Sequence, residues 1–345
     1  MEKLIKTLNN DLKSLALKLR YCKSKSMYYK LYIEISSMFE LFDTLDMTDA
    51  VLDINDYTTA KLYEIDYNKQ DKQFCNHIKN NLDFYKTLAF NGTKLINRYN
   101  IPRNYSYEDL LSKHVNEKES INLALDFYDI YDEKIANLLY SLIKNNRVVT
   151  TSSITDCGIT YNFNFIENPF ILLYPYNNLI YPTTLVHETA HCNVNMDLKN
   201  INDKYMYSNY REVFPYFIEL LFFDYLEKYK IYNKDAKFLK KNFDVKMVNN
   251  LEYFYNIIKK SDDFKYLNNN LDNIYSILTD LLGFIIAYHF YEMFLEDPEK
   301  TKWNINNFNY NMGQEEGLYM ITKYGLKKEE ILSSKVLEKN IKKHL

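Results

Sequence analysis

Apolar residues recur at steps of three and four through Leu4 to Leu19, Tyr28 to Phe42, Phe84 to Ile96 and Ile121 to Ile143, the spacing of helices that bury one face. Asn91-Gly92 and Ile101-Pro102-Arg103 read as polar breaks, and Ser106 as the N-cap of a short helix. After Asn146 the pattern changes. Val148 to Thr160 is rich in β-branched residues and serine. Phe163 to Ile180 carries aromatic and apolar residues bounded by Pro169, Pro175 and Pro182. Both stretches predict short strands and turns, with Pro169 to Tyr174 the strongest strand. Thr183 or Thr184 can cap a helix running through Leu185 to about Met196. A further helix is predicted over Tyr210 to Tyr229, with Pro215 in its first turn or kinking it, and helices continue to Leu345. The expectation is a mainly α chain with a small β-sheet, divided near residue 148 into a helical region 1–147 and a second region 148–345 that can pack with it as one unit.

Composition supports the helical reading. Six Gly and six Pro in 345 residues leave little material for tight turns, and 47% hydrophobic residues suffice for a large core. The balance of 43 basic against 46 acidic residues offers no surplus for nucleic acid or an anionic membrane, so neither is expected as a partner. The 34 tyrosines read first as a codon bias toward A and T. The first twenty residues carry charge throughout, without an apolar run long enough for a signal peptide or a membrane span. Cys22, Cys75, Cys157 and Cys192 lack paired spacing. A cytoplasmic location with reduced thiols is the expectation.

One motif carries chemistry. His187-Glu188-Thr189-Ala190-His191 places two imidazoles one helical turn apart on the same face, the arrangement that a single zinc ion needs, with an acid beside them. With six histidines in the chain, chance supplies about 0.01 such matches. A catalytic zinc site takes three protein ligands and keeps one position for water, so a third ligand is required. Glu212, after 20 intervening residues, is placed as in zinc peptidases that take a glutamate from the next helix. Glu219, two turns on, and Asp197 and Asp203 in an expected loop are alternatives. Zinc brings the pKa of its water toward neutrality, and Glu188 is the expected general base. Cys192 points about 100° away from the second histidine and is expected in the core. His289, in an aromatic helix, is expected as a packed residue, and His77, His114 and His344 as solvent-exposed ones. The edge of the 169–174 strand is expected to hold an extended peptide by main-chain hydrogen bonds.

These residues resemble the oligoendopeptidase F and thimet oligopeptidase family of zinc metallopeptidases, in a shortened form. The resemblance rests on Pro169-Phe-Ile-Leu-Leu-Tyr, Asn177-Asn178 and Thr184-Leu-Val-His-Glu in that order. It extends to Arg211-Glu-Val-Phe-Pro-Tyr-Phe-Ile-Glu219, Gly283-Phe-Ile-Ile-Ala-Tyr-His-Phe-Tyr-Glu292 and the stretch from Asn311 to Leu326. It implies a mainly helical zincin-type fold, one zinc ion on His187, His191 and Glu212, and hydrolysis of short unfolded oligopeptides. The second glutamate seven residues on, Glu219, favours Glu212 as the ligand; by its place on the same helix face Glu219 is expected either to orient a ligand histidine or to stand as a surface acid. Two departures stand out. Ala190 replaces the family's glycine, and anchoring on Gly283 puts Asn270 and Asp280 where the family has a histidine and a tyrosine that stabilise the oxyanion. Tyr275, Tyr288 and Tyr291 are the nearby hydroxyls. Loss of that hydroxyl costs about 2–4 kcal/mol of transition-state stabilisation, which makes a zinc-containing peptide-binding protein with weakened turnover the alternative expectation.

Overall fold

The structure, a computed structural model, describes residues 2–45, 67–99, 114–163, 165, 169–193, 210–260, 266, 269–311 and 321–344. Its elements are α1 (Glu2–Arg20), α2 (Lys25–Thr44), α3 (Tyr67–Asn80), α4 (Leu82–Tyr99), α5 (Glu117–Tyr131), α6 (Glu133–Lys144), β1 (Val148–Thr150), β2 (Gly158–Tyr161), β3 (Phe170–Leu173) and α7 (Ile180–Cys192). There follow α8 (Val213–Lys228), α9 (Asn233–Ile258), α10 (Leu271–Glu296), α11 (Pro298–Asn311), α12 (Lys328–Ser333) and α13 (Lys335–His344). The chain is mainly α with one small sheet, as its periodicity predicts. Ser106, Asp197 and Asp203 lie outside the described residues, as does the side chain of His344.

The chain divides into two compact units, each made from two stretches of sequence: Met1–Ile65 with Val115–Asp197, and Asp66–His114 with Leu198–Leu345. The boundary expected near residue 148 falls inside the first unit, between α6 and β1.

In the first unit the sheet order is β1-β3-β2, with β1 parallel and β2 antiparallel to β3. The two-residue period of a strand sends alternate side chains to opposite faces. Phe170 and Leu172 of β3, with Tyr161 of β2, join the core built by Leu8, Leu12, Met38 and Phe42 of α1 and α2. Gly158 and Thr160 of β2 meet α7 on the other face. All four residues of β3 are buried, as a strand covered on both faces requires. The helical run expected from Ile121 to Ile143 is broken at Asp132, whose φ of −157° and ψ of 106° end α5. Its carboxylate accepts from the Lys134 amide at 2.9 Å and so caps α6.

The second unit is built around α8 and α10. Almost every residue of α8 from Val213 to Phe223 is buried, and such all-round apolarity marks a helix enclosed by others. The stretch Asn273–Glu296 of α10 is long and apolar enough to span a bilayer, yet 78% of its apolar window is buried within the fold. Asn91-Gly92, expected as a break, sits inside α4. A Cβ on Gly92 would meet the Leu251 side chain at 2.5 Å, so the glycine serves the close approach of α9 rather than a turn. His77, expected at the surface, is buried, with Nε2 2.9 Å from the Tyr85 hydroxyl of α4. A polar neighbourhood in sequence misjudged it, because its helical face points at the next helix. His289 is packed in α10 as expected.

His289 is 6% exposed, and burial lowers its pKa to about 4 against the opposing pull of Glu330 and Glu292. The unfolded chain takes up this proton near pH 6.5 and the folded chain only near 4. Stability contributed by the neutral imidazole is therefore complete above pH 6.5 and is lost as pH falls toward 4. Chemical denaturation across this window should show a loss on the order of 3 kcal/mol that flattens in His289→Phe.

Candidate metal centre

Helix α7 carries the motif, and its start differs from expectation. It begins at Ile180, three residues before Thr183, because the Asn178 carboxamide accepts from the Ile180 amide at 2.9 Å. Pro182 then falls in the first turn, where a missing N–H costs nothing. The Thr183 hydroxyl donates back to the Leu179 carbonyl at 2.8 Å instead of capping. From Ile180 to Ala190 every residue except His187 is buried. The Tyr128 hydroxyl of α5 donates to the Val186 carbonyl at 2.6 Å and the Asn162 amide to the His191 carbonyl at 2.9 Å. The helix is thus fixed on both sides of the motif.

The motif's two imidazoles converge. Nε2 of His187 and Nε2 of His191 are 3.1 Å apart, with ring planes at 72°. Two nitrogen ligands of one tetrahedral zinc ion stand about 3.3 Å apart at ordinary Zn–N lengths, so the spacing of the pair is close to what such an ion takes.

Glu188 follows His187 in the same turn, about 100° around the helix from it and about 60° from His191, and is 6% exposed. A carboxylate in such a place is costly unless hydrogen-bonded. The Thr160 hydroxyl of β2 approaches Glu188 Oε2 at 2.7 Å and the Glu188 backbone carbonyl at 3.0 Å. Gly158, two residues earlier on the same face, makes the approach possible. A Cβ there would meet Thr184 Cγ2 at 2.6 Å and Glu188 Cγ at 2.8 Å. Sequence reasoning missed both residues; Gly158, standing in a predicted strand of a glycine-poor chain, was the available signal. Cys192, expected in the core, is half-buried; burial above all, with the Glu188 charge next, pushes its thiol pKa up.

The strand expected to bind peptide is corrected. β3 is the central strand, and both of its edges are occupied by β1 and β2. The edge positions in this sheet belong to β1 and β2, and β2 is the one that packs against Glu188 of α7. The Tyr174 amide donates to the Cys157 carbonyl at 2.9 Å, so by antiparallel alternation the main-chain groups of Gly158 and Thr160 point away from β3.

Glu212 belongs to the second unit, where it occupies the N-cap of α8 and is 7% exposed. Pro215 falls in that helix's first turn. The Arg211 side chain donates through Nε to Glu212 Oε1 at 3.1 Å. Partial loss of water contact works against the charge of Arg211, whose side chain is 54% exposed, but Glu212, Tyr275 and Asp280 outweigh it and raise its pKa. One turn on, Tyr216 donates to Asp280 Oδ1 at 3.3 Å and stacks on Phe284 at 3.8 Å between centroids. Burial, then the charges of Glu212, Asp280 and Glu219, push the Tyr216 hydroxyl up. Glu219 is half-buried on the same helix. Of the three tyrosines named from sequence, Tyr288 and Tyr291 donate to Asp244 and Asp224. Tyr275 lies within electrostatic range of Arg211 and Glu212. Asn270, the other aligned position, donates to the Tyr266 carbonyl at 2.8 Å.

No family model matches the chain, and no curated protein matches it. Among solved structures, it is similar to a putative oligoendopeptidase F from Bacillus anthracis str. Ames at 13% identity, over 96% of this chain and 68% of that one, with a TM-score of 0.48. PZ peptidase A with inhibitor 2 is similar at 11% identity, over 96% and 70%, with a TM-score of 0.46. A putative peptidase from Chlamydophila abortus follows at 13% identity, over 96% and 66%, with a TM-score of 0.43. The chain spans about two thirds of the length of these proteins. At such identities and TM-scores they carry no weight on reaction or residues, and the chemistry has to be read from the chain itself.

Gly158→Ala should force α7 and β2 apart. The expected cost is about 1–3 kcal/mol in chemical denaturation, with the Thr160 to Glu188 hydrogen bond lengthened or lost in a crystal structure of the variant.

Proposed function

We propose that the chain is a zinc-dependent peptidase in which His187, His191 and Glu212 hold one zinc ion and Glu188 is the general base. The observation that carries this reading is the convergence of the two Nε2 atoms beside a buried, hydrogen-bonded Glu188. Two imidazoles and a carboxylate are the donor set that a hydrolytic zinc ion takes while leaving one position open. The bound ion supplies Lewis-acid polarisation of the scissile carbonyl and of the attacking water.

The chain's own residues supply the rest. Thr160 holds Glu188 Oε2 and thereby fixes the plane of the carboxylate. Glu188 takes a proton from water as the water oxygen adds to the carbonyl carbon, and gives it to the nitrogen as the C–N bond breaks. The β2 edge, through the outward main-chain groups of Gly158 and Thr160, suits an extended peptide held by strand pairing. Short unfolded oligopeptides are the proposed substrates, because strand pairing needs an exposed main chain. Tyr275, which lies within electrostatic range of Arg211 and Glu212, is the proposed partner for the developing oxyanion. Glu219 is proposed to orient a ligand histidine, and the proposed location is the cytoplasm.

A second reading, a zinc-containing peptide-binding protein with weakened turnover, draws on Asn270 and Asp280, which offer neither an imidazole nor a phenol at the aligned positions.

Metal analysis and a quenched-fluorescence peptide library test both. The expected result is one zinc per chain and cleavage of short peptides. Glu188→Gln should keep the metal and lower kcat about 10²–10⁴-fold. Full zinc occupancy without cleavage of any peptide favours the binding protein, and a chain that stays metal-free in excess zinc overturns both.

A further inference from the structure

We infer that Gly283 is a positioning residue for Glu212, holding that carboxylate in a preset direction for metal. This rests on the reading of Glu212 as third ligand. Gly283 lies in the middle of α10, where glycine costs about 1 kcal/mol relative to alanine, and nothing in the helix itself calls for it. Its use is external. A Cβ at this position would meet Glu212 Cβ at 2.5 Å, the Glu212 carbonyl carbon at 3.2 Å and Tyr216 Cδ2 at 3.1 Å. The first two contacts are with backbone and the root of a side chain, which cannot swing aside as a side-chain tip can.

The surroundings of Gly283 all bear on the same acid. Asp280, three residues before it, accepts from Tyr216, and Phe284, next to it, stacks on Tyr216. These contacts pin the first turn of α8 to α10. Glu212 is left with the α10 backbone against its Cβ and Arg211 Nε on Oε1. A ligand restrained at both ends loses little rotamer freedom when a metal arrives, which favours binding. The chain has six glycines in 345 residues, and two of the four described ones stand against the two acids that the motif and its spacing single out.

Zinc affinity, read by chelator competition on the full chain, tests this directly. Gly283→Ala should weaken zinc binding about 10- to 100-fold, the range seen when groups that orient a metal ligand are removed. It should also alter the visible spectrum of the cobalt-loaded protein. Gly92→Ala is the control, because its Cβ would press on Leu251 at 2.5 Å with no ligand involved. It should lose stability while keeping wild-type zinc affinity. In the double variant with Glu212→Gln, the Gly283→Ala effect on affinity should vanish. If Glu212→Gln weakens binding and Gly283→Ala does not, or if Gly283→Ala fails to fold while Gly92→Ala folds, the positioning role is overturned and the ligand assignment stands. If Glu212→Gln binds zinc as tightly as wild type, the ligand assignment itself falls and the positioning role falls with it.

Discussion

The distance between helix α7 and strand β2 governs the chemistry of the first unit. At Gly158 the strand has no side chain to hold the helix away, so Thr184 and Glu188 come down onto its backbone. This contact buries Glu188 and brings the Thr160 hydroxyl to within 2.7 Å of its carboxylate. His187 and His191, about 100° and 60° around the helix from Glu188, stay half-buried with their Nε2 atoms 3.1 Å apart. A wider spacing would leave the acid unsatisfied in an apolar layer, a cost of a few kcal/mol.

The second unit treats its polar groups differently. Asp224 and Asp244 lie among α8, α9 and α10 and take up the hydroxyls of Tyr291 and Tyr288, with the buried Lys240 paired to Asp224. Pairing of this kind satisfies buried charge and fixes helix register. It also removes those tyrosines from any other duty. Around Glu212, the Arg211 side chain donates to its carboxylate and Tyr216 donates to Asp280, with Tyr275 in electrostatic range.

The helices of both units were legible in the sequence because a buried helical face leaves a period that neighbours in the chain carry together. The strands at 148–150, 158–161 and 170–173 were legible from β-branched and aromatic runs between prolines. What the period could not give was the partner of each face. Asn91-Gly92 looked like a break because glycine is a poor helix residue, yet α9 approaches α4 there. His77 looked exposed because its sequence neighbours are polar, yet it faces Tyr85. The start of α7 was misplaced because the capping group is the Asn178 side chain, ahead of the threonines.

The sequence by itself determined the pairing of His187 with His191, since a turn of helix is a local property and any helix through residues 187–191 sets two imidazoles side by side. Tertiary structure alone decided that β3 is central and that β1 and β2 are the edges, because strand order depends on pairings between residues far apart in the chain. It also decided that Tyr288 and Tyr291 donate to Asp244 and Asp224, and that Gly158 and Thr160 meet Glu188 while Gly283 meets Glu212. Those roles arise where separate elements touch, and the distances that set them are not encoded in the spacing of residues along one of them.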